Sequence, residues 1–370
     1  MSGEALTSRY FANSNHRKAY PQPMVGDKKQ EDGGTFVQRL KVGVVGVGFY
    51  GKLHARVYNE VPTAELIAVA DIGADAAKKA GEELGCEYHS DPEKMYARED
   101  IQAVSICVPD EHHLEPAVRA AEAGKHILVE KPIASTAAEG KELRDAAKDN
   151  GVRVMVGHLL RFDPRYVQVK EQIDAGELGE LVHIRAKRQV AKGIHRRLQG
   201  RISMLFYTGI HEIDIVRWYA NSDVREVYAK KVSKMTDEDC VFVLLEFESG
   251  AVGTLEFSFS LPETFRRSRG AGGLCAAAEV VGTEGAAYIG GLDQGVQVFS
   301  DGFYMPDTMY WPEFNGKTYG DLRTEIMHFT DAVVSGEDFL VSTDDAIKAV
   351  AVIEAIFRSL EEKRPVSVQY

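Results

Sequence analysis

Cysteine is scarce in this sequence, and its spacing excludes two common kinds of site. The 370 residues contain only four cysteines, with no C-x-x-C pair: Cys86, Cys107, Cys240 and Cys275. Neither a zinc site nor a disulfide framework is therefore expected, and no metal is predicted. We expect Cys107, in the apolar run AVSIC, to be a small core residue. A reducing cytoplasm is the simplest location for such a chain.

Long apolar runs and an excess of positive charge are missing as well. No stretch approaches the roughly 20 apolar residues that span a bilayer. The first residues lack the apolar core and cleavage site of a secretory signal. The formal net charge is -12, which argues against nucleic acid or an anionic membrane surface as a main partner. With 44% hydrophobic and 27% charged residues, the chain fits a globular protein, and its length favours two domains.

The beginning of the chain differs from the rest. Residues 1–38 contain YPQP and GDKKQEDGG and show no sustained periodicity. They are interpreted as an N-terminal arm, which is either disordered or wraps a neighbouring subunit or domain.

Residues 39–160 alternate between strand and helix patterns. Five Val- and Ile-rich runs are each nearly continuous in apolar residues, and helical stretches separate them. Strands of this kind are covered on both faces, so the pattern predicts a parallel, doubly wound α/β sheet. Residues 161–370 change to longer alternating strands with short ESG and TEG turns, which predict an antiparallel meander. Two helices, about 322–334 and 344–360, are expected to close the chain.

The first strand runs into GVGFYG, a G-x-G-x-x-G motif formed by Gly46, Gly48 and Gly51, with Phe49 and Tyr50 inside it. The first glycine permits the tight turn, the second lets the backbone approach a pyrophosphate, and the third lets helix and strand pack closely. The helix N-terminus then faces the phosphates. Because the motif lies between a strand and a helix, it predicts a dinucleotide site.

Asp71 ends the second strand, where an acidic side chain accepts the adenosine ribose hydroxyls. A carboxylate there repels a 2′-phosphate, and DIGAD supplies no cation to bind one. NAD is therefore favoured over NADP.

Ligands of such sheets bind beyond the carboxyl ends of the strands. Pro109 and His113 follow the third predicted strand in CVPDEHH, on the expected nicotinamide side, although His113 could instead be a surface cap residue. Glu130 and Lys131 follow the fourth, in VEKP. A lysine beside the nicotinamide polarises a hydroxyl or carbonyl; the alternative is a surface lysine paired with a carboxylate.

The stretch FYTGIHEIDIVRW places Tyr207, His211 and Asp214 on one predicted helix. Tyr207 and His211 are spaced i and i+4, so their side chains can meet if the helix starts early enough. Asp214 could orient the imidazole or contact Arg217. A lone histidine on such a helix is more often a core residue, and Lys131 together with the cofactor fold is what favours a catalytic one.

Five motifs, in order, resemble the Gfo/Idh/MocA family, named after glucose–fructose oxidoreductase, inositol dehydrogenase and MocA: GVVGVGFYG, EAGKHILVEKP, GHLLRFDPRYVQVKEQIDAGELGE, GIHEIDIVRW and EVVGTEGAAYI. The resemblance runs from about Leu40 to the C-terminus. It implies an N-terminal Rossmann domain and a C-terminal α+β domain whose large, open, mostly antiparallel sheet packs against that of another subunit, in a homodimer or homotetramer.

The resemblance also implies an NAD(P)-dependent oxidoreductase that acts on one CH–OH group of a sugar, polyol or glycoside. The family's lysine and histidine that flank the reacting carbon fall on Lys131 and His211. His211 would be the base in oxidation, since histidine titrates near neutrality. Many relatives carry an aspartate four residues before the histidine, where this chain has Tyr207. Tyr207 would therefore hold the geometry, bind a substrate hydroxyl or share the proton transfer, or else pack at a domain interface.

Two further features are candidates for ligand binding. Arg161, beyond the fifth strand, either positions cofactor or substrate or fixes the helix that follows. The basic stretch KRQVAKGIHRRLQGR contains Arg197 and precedes the His211 helix. It either recognises an acidic or strongly hydroxylated substrate or forms an ion-paired loop or subunit contact.

The leading hypothesis is thus an NAD-dependent sugar or polyol dehydrogenase. One alternative from the same family is a glycoside-cleaving enzyme that oxidises, eliminates and returns the hydride, so that NADH does not accumulate. Another is a non-catalytic NAD-bound sensor, against which the Lys131–His211 pair argues.

Overall fold

A computed structural model of the protein describes residues 39–198, 202–236, 238–261, 266–267, 274–290, 296, 298–299 and 303–370. The predicted N-terminal arm, residues 1–38, lies outside the described residues. The predicted domain boundaries at 38/39 and 160/161 stay predictions.

The first half of the described chain forms a six-stranded parallel sheet in the order β3-β2-β1-β4-β5-β6. Its strands are β1 Leu40–Val45, β2 Ala64–Ala70, β3 Glu87–His89, β4 Ala103–Ile106, β5 His126–Glu130 and β6 Val154–Gly157. The helices between them are α1 Phe49–Glu60, α2 Ala74–Leu84, α3 Glu93–Tyr96, α4 Leu114–Glu122 and α5 Ala137–Asp149. Strands β4 and β6 are buried along their whole length, as the continuous apolar runs predicted. The strand order reverses between β1 and β4, which is where doubly wound sheets bind their ligands.

One strand of this sheet was not predicted. The sequence pattern indicated five strands, whereas the structure adds β3, which pairs with β2 over only three residues. Its sequence, EYH, is mostly polar and partly exposed. A strand this short at a sheet edge carries no readable alternation.

The second half is built on a seven-stranded sheet in the order β13-β12-β7-β10-β9-β8-β18. Its strands are β7 Leu181–Ala191, β8 Val224–Val232, β9 Cys240–Phe247, β10 Val252–Leu261, β12 Leu274–Gly282, β13 Ala286–Ile289 and β18 Val366–Ser367. All neighbours in it are antiparallel except β7 and β10. The predicted meander is β8–β10, with Gly250 at φ +89° in the ESG turn.

Helices cover one face of this sheet. They are α6 Pro164–Asp174, α7 Lys192–Leu198, α8 Ile210–Ala220 and α10 Thr343–Glu362. The helix α9 Asp321–Ser335 packs instead against α1 and β1 of the first half, and both α9 and α10 lie within two residues of their predicted bounds. Short strands complete the chain: β11 Arg266–Arg267, β14 Val298–Phe299, β15 Phe303–Met305, β16 Glu313–Phe314 and β17 Lys317–Thr318. None of the helices in the described part of the chain has the length and apolarity to cross a bilayer.

The other face of the seven-stranded sheet is open and partly apolar. Phe242 and Leu244 of β9 are each 48% exposed, and Tyr288 of β13 is 69% exposed. They alternate with buried residues such as Val243, so the apolar side chains on this face are not part of the core.

Candidate active site

The three glycines after β1 do three different things in the structure. A Cβ on Gly46, whose φ is +86°, would lie 2.8 Å from the backbone of Cys107 and Val108. A Cβ on Gly51 would lie 1.7 Å from the carbonyl oxygen of Gly46. A Cβ on Gly48 would meet no protein atom within 4 Å. Gly46 and Gly51 are thus required by the loop itself, whereas Gly48 leaves space in front of the N-terminus of α1, which fits a pyrophosphate.

Asp71 fixes the other side of this loop. One carboxylate oxygen accepts a hydrogen bond from the Val47 backbone N–H at 2.9 Å, and the other accepts from the Gly73 N–H at 2.9 Å. The carboxylate is held at the end of β2, beside the glycine-rich turn. This placement fits an acceptor for ribose hydroxyls.

An aromatic cluster stands at the start of α1. The Trp311 ring contacts the rings of Phe49 and Tyr50, with centroids 5.9 and 5.6 Å apart, and Phe49 is 53% exposed. Sequence reasoning missed Trp311, because a tryptophan in the irregular segment before α9 belongs to no local motif.

The His113 side chain is buried and links two segments of the chain, so it is not a surface cap residue. It is 1% exposed. Its Nδ1 lies 2.6 Å from the carbonyl oxygen of Pro132, and its Nε2 lies 3.0 Å from that of Val108. The surface-cap alternative was therefore wrong: the ring joins the chain after β4 to the chain after β5. Pro109 directly precedes the short helical turn Asp110–His112 in the segment after β4.

Lys131 lies at the carboxyl end of β5 and is only 9% exposed. Its ammonium donates a hydrogen bond to the backbone carbonyl of Tyr207 at 3.0 Å and lies 5.6 Å from the centroid of the Tyr207 ring. The Lys131–Pro132 peptide bond is cis. The alternative of a surface lysine paired with a carboxylate was wrong, because the side chain is buried and its ammonium bonds a backbone carbonyl.

The stretch around Tyr207 is not a continuous α-helix. Leu205–Gly209 forms a π-helical turn, and α8 begins only at Ile210. The predicted helical i, i+4 relation between Tyr207 and His211 is therefore distorted. The extra backbone length of the turn presents the Tyr207 carbonyl to Lys131.

His211 lies in the first turn of α8 and is 9% exposed. Its Nδ1 has no hydrogen-bond partner among the described residues. Burial holds the pKa of His211 well below 6.5, and the positive charges of Lys131 and Arg188 lower it further. The imidazole is therefore neutral at pH 7 and able to accept a proton.

Asp214 of α8 forms a buried ion pair with Arg161, which lies in the turn after β6. The guanidinium donates to both carboxylate oxygens, at 2.9 and 2.6 Å, and the two residues are 1% and 2% exposed. Burial opposes the charge of Asp214, but Arg161 and His158 hold the pKa of its carboxyl below the usual range. Arg161 also bonds Asp345 at the start of α10. Its hydrogen bonds to side chains in the described part of the chain thus reach α8 and α10, and not α6, the helix that follows it and that one alternative expected it to fix.

The alternative contact between Asp214 and Arg217 is not formed. Arg217 donates instead to Asp223 at 2.8 Å. Asp214 instead lies 3.8 Å from the Nδ1 of His158, a buried ring that sequence reasoning missed and whose pKa burial lowers.

The basic side chains that lie in β7 alternate between the two faces of the strand. Arg188 points inward and is 4% exposed, and its Nε donates to Glu212 of α8 at 2.6 Å. Lys187 is half-buried on the opposite side of the strand. Arg197 lies in α7, and its side chain is outside the described part of the structure. Arg188 is therefore the cation of β7 that contacts α8, the helix that carries His211.

Both halves of the chain match family models. Residues 40–158 match the NAD-binding Rossmann fold of the Gfo/Idh/MocA oxidoreductases, and residues 170–368 match the C-terminal α/β domain of the same family. The chain belongs to the Gfo/Idh/MocA oxidoreductase family.

Individual relatives agree with this assignment. The chain is 30% identical to scyllo-inositol 2-dehydrogenase (NAD(+)) of Bacillus subtilis, over 89% of this chain and 96% of that protein. It is 28% identical to myo-inositol 2-dehydrogenase of Thermotoga maritima, over 89% and 99%. Among solved structures, GenD2 from gentamicin A biosynthesis in complex with NAD superimposes with a TM-score of 0.75 at 25% identity, covering 91% of this chain and 99% of that one.

The predicted family, fold class and NAD cofactor are confirmed by these matches. So is the predicted activity class, an oxidoreductase acting on a CH–OH group of a sugar or polyol. The roles of individual residues stay predictions.

Proposed function

We propose that this protein oxidises one secondary hydroxyl of a six-membered polyhydroxylated ring, an inositol or a pyranose sugar, with His211 and Lys131 as the reacting side chains. The observation that carries the proposal is the Lys131–Tyr207 contact at 3.0 Å. It fixes an ammonium at the carboxyl end of a Rossmann strand and beside the helix that carries a neutral imidazole. A cation and a base on one side of a nicotinamide site suit alcohol oxidation.

The chemistry divides between the two side chains. When bound, NAD+ accepts the hydride from the carbinol carbon. The neutral His211 imidazole takes the hydroxyl proton. The Lys131 ammonium donates a hydrogen bond to the same oxygen and stabilises its developing negative charge. In the reverse direction, protonated His211 returns the proton to the oxygen.

Other predicted residues support this pair. We propose that Gly46, Gly48, Gly51 and Asp71 hold the dinucleotide, with Phe49, Tyr50, Pro109 and His113 around the nicotinamide side. Tyr207 is assigned to substrate contact and to holding Lys131. Asp214 and Arg161 are assigned to fixing α8, since each satisfies the other's charge. A substrate contact by Arg197 stays a proposal without structural support.

The names of the relatives support a polyol ring, because the Bacillus and Thermotoga proteins are named inositol 2-dehydrogenases. The tyrosine at position 207 is a reason to include pyranoses and glycosides. No observation favours the glycoside-cleaving or sensor alternatives.

The test is a screen of NAD+ reduction over inositols, free sugars, glycosides and sugar acids, with wild type and His211→Ala side by side. Wild type should form NADH with at least one ring. His211→Ala should lower kcat by about 10²- to 10⁴-fold, the usual contribution of a general base, while the Kd of NAD changes little.

The matched control is His183→Ala, a histidine on β7 that pairs with Glu279. This variant should keep wild-type turnover. Full activity of His211→Ala would remove His211 from the mechanism. Release of sugar from a glycoside without NADH would favour the glycoside-cleaving alternative.

We also propose that the protein is a cytoplasmic homodimer or homotetramer. The open apolar face with Phe242, Leu244 and Tyr288 supports pairing of two sheets. The scarcity and wide spacing of the four cysteines support a reducing compartment. Light scattering of the purified protein measures the mass and so tests the assembly.

A further inference from the structure

A buried carboxyl group from the C-terminal half reaches the base of the E-K-P motif. Glu325 of α9 is 0% exposed, and neither of its carboxyl oxygens has a hydrogen-bond partner among the described residues. One of them lies within 4.8 Å of a side-chain ligand atom of His54 and of Glu130. The mechanism proposed above does not use this group.

Glu130, the residue before Lys131, is held from several sides. Its Oε1 lies 3.0 Å from the Nε2 of His54, and its Oε2 accepts from the backbone N–H of Lys131 at 3.3 Å. A Cβ on Gly157 would come within 3.2 Å of its Oε1. The Glu130 carboxylate is thus hydrogen-bonded to α1 and to the backbone after β5, and it lies against the end of β6.

The hydrogen bonds of His54 continue to Ser105 and Tyr58. Its Nδ1 lies 3.2 Å from the Oγ of Ser105, which lies 2.8 Å from the hydroxyl of Tyr58. With the Tyr58 hydroxyl donating to Ser105, and Ser105 to the Nδ1, the Nε2–H donates to Glu130. In this direction every member is paired and Glu130 is the acceptor, which agrees with a pKa of Glu130 below its usual range.

Two carboxylates cannot both be charged in this space. Burial opposes the charge of Glu130, but the hydrogen bond from His54 and the positive charge of Lys131 hold the pKa of Glu130 below the usual range. Burial raises the pKa of Glu325 well above the usual range, and the charge of Glu130 raises it further.

The other ionisable groups around Glu325 come from three parts of the fold. Tyr58 and His54 come from α1, Cys107 follows β4, and Asp321 lies one turn earlier on α9. Burial raises the pKa values of Tyr58, Cys107 and Asp321, so these groups are neutral. The cluster therefore contains one carboxylate, Glu130, and one carboxylic acid, Glu325.

We propose that Glu325 is a positioning residue for Lys131, acting through Glu130: it remains a neutral carboxylic acid and, by rotation of its carboxyl group, donates its O–H to the Glu130 carboxylate, which lies within 4.8 Å, and so fixes that carboxylate behind the lysine. The inference rests on the proposed role of Lys131. A second anion here would attract the ammonium away from the Tyr207 carbonyl and the substrate. A neutral acid keeps the ammonium at the reacting end.

The decisive variants are Glu325→Gln and Glu325→Leu. Glutamine keeps a neutral hydrogen-bond donor of the same shape, so kcat should stay within about threefold of wild type. Leucine removes the donor, so kcat should fall about 10- to 100-fold through misplacement of the lysine, with the Kd of NAD unchanged. The matched control is Asp321→Asn, which replaces a second buried acid on the same helix and should leave kcat unchanged.

Infrared difference spectra test the proton directly and need no substrate. Wild type minus Glu325→Gln should show the C=O stretch of a protonated carboxylic acid at neutral pH. Its absence would overturn the proposal. A tightly bound metal ion at one equivalent in the wild type, lost in Glu325→Gln, would also overturn it, because the three side chains would then be ligands.

Kinetics decide the positioning role. Equal losses of kcat in Glu325→Gln and Glu325→Leu, or full kcat in Glu325→Leu, would reject it. If Glu325→Leu does not fold, Glu325→Gln decides: near-wild-type kcat with an unchanged pH profile supports the proposal, and a large loss rejects it. A wild type that turns over no compound of the screen rejects the proposed function instead, while the infrared spectra still decide the protonation of Glu325.

Discussion

The two ends of the proposed cofactor and substrate site are built in different ways. At the nucleotide end, three glycines within six consecutive residues form the site with their backbone, and one carboxylate, Asp71, completes it. At the reacting end, Lys131 comes from β5 and His211 from α8, and a backbone carbonyl at Tyr207 joins the two elements. The nucleotide end depends on glycines, which have no side chain. The reacting end depends on side chains that come from segments distant in the sequence. Substitutions should therefore act differently at the two ends.

The largest difference is expected between two glycines of the same loop. Gly48→Ala adds a methyl group that meets no protein atom within 4 Å, so unfolding without NAD should be unchanged. The methyl group would stand where the pyrophosphate approaches, and the Kd of NAD should rise at least about tenfold. Gly51→Ala collides with the Gly46 carbonyl at 1.7 Å and should lower both the Tm and NAD affinity.

Calorimetric titration with NAD and thermal unfolding without it separate the two effects. Wild-type NAD affinity in Gly48→Ala would show that the loop does not hold the pyrophosphate. An unchanged Tm in Gly51→Ala would mean that the close packing of α1 on β1 is relieved elsewhere.

The same contrast explains what the sequence could predict. The glycine loop, Asp71 and the strand–helix alternation are local patterns. The fold and the family matches confirm the alternation, whereas dinucleotide binding by the loop and Asp71 stays a prediction. The π-helical turn at Leu205–Gly209, the Lys131–Tyr207 contact and the aromatic partner Trp311 depend on tertiary packing. Glu325 shows the limit most clearly, because a glutamate on an amphipathic helix is normally exposed, and only the fold buries it beside Glu130.

A smaller difference concerns pH. The pKa of His211 lies well below 6.5, mainly through burial and then through Lys131 and Arg188. Because oxidation needs the neutral imidazole, kcat/KM for oxidation should stay level as pH falls through 6.5 and decline only in more acid solution, about tenfold per pH unit. The Kd of NAD should change little as pH falls to 6.5, since the ionisable side chain of the glycine loop, Tyr50, has a pKa that burial raises above its usual value.

The measurement is a pH profile of kcat/KM in both directions. Reduction needs protonated His211, so its kcat/KM should rise as pH falls toward the pKa. An acid limb for oxidation at or above pH 6.5 would contradict the assignment of the buried His211 as the base.

The smallest effect is expected for Tyr207→Phe. Lys131 donates to the backbone carbonyl at position 207 and lies 5.6 Å from the ring, and phenylalanine keeps both the carbonyl and the aromatic face. The lysine should therefore stay in place, with kcat within about threefold of wild type and a rise in KM if the hydroxyl binds substrate. Steady-state kinetics with the substrate found in the screen measure both. If kcat instead falls about 100-fold, the tyrosine hydroxyl takes part in proton transfer, and the reacting end then contains a second acid/base group where many relatives place an aspartate.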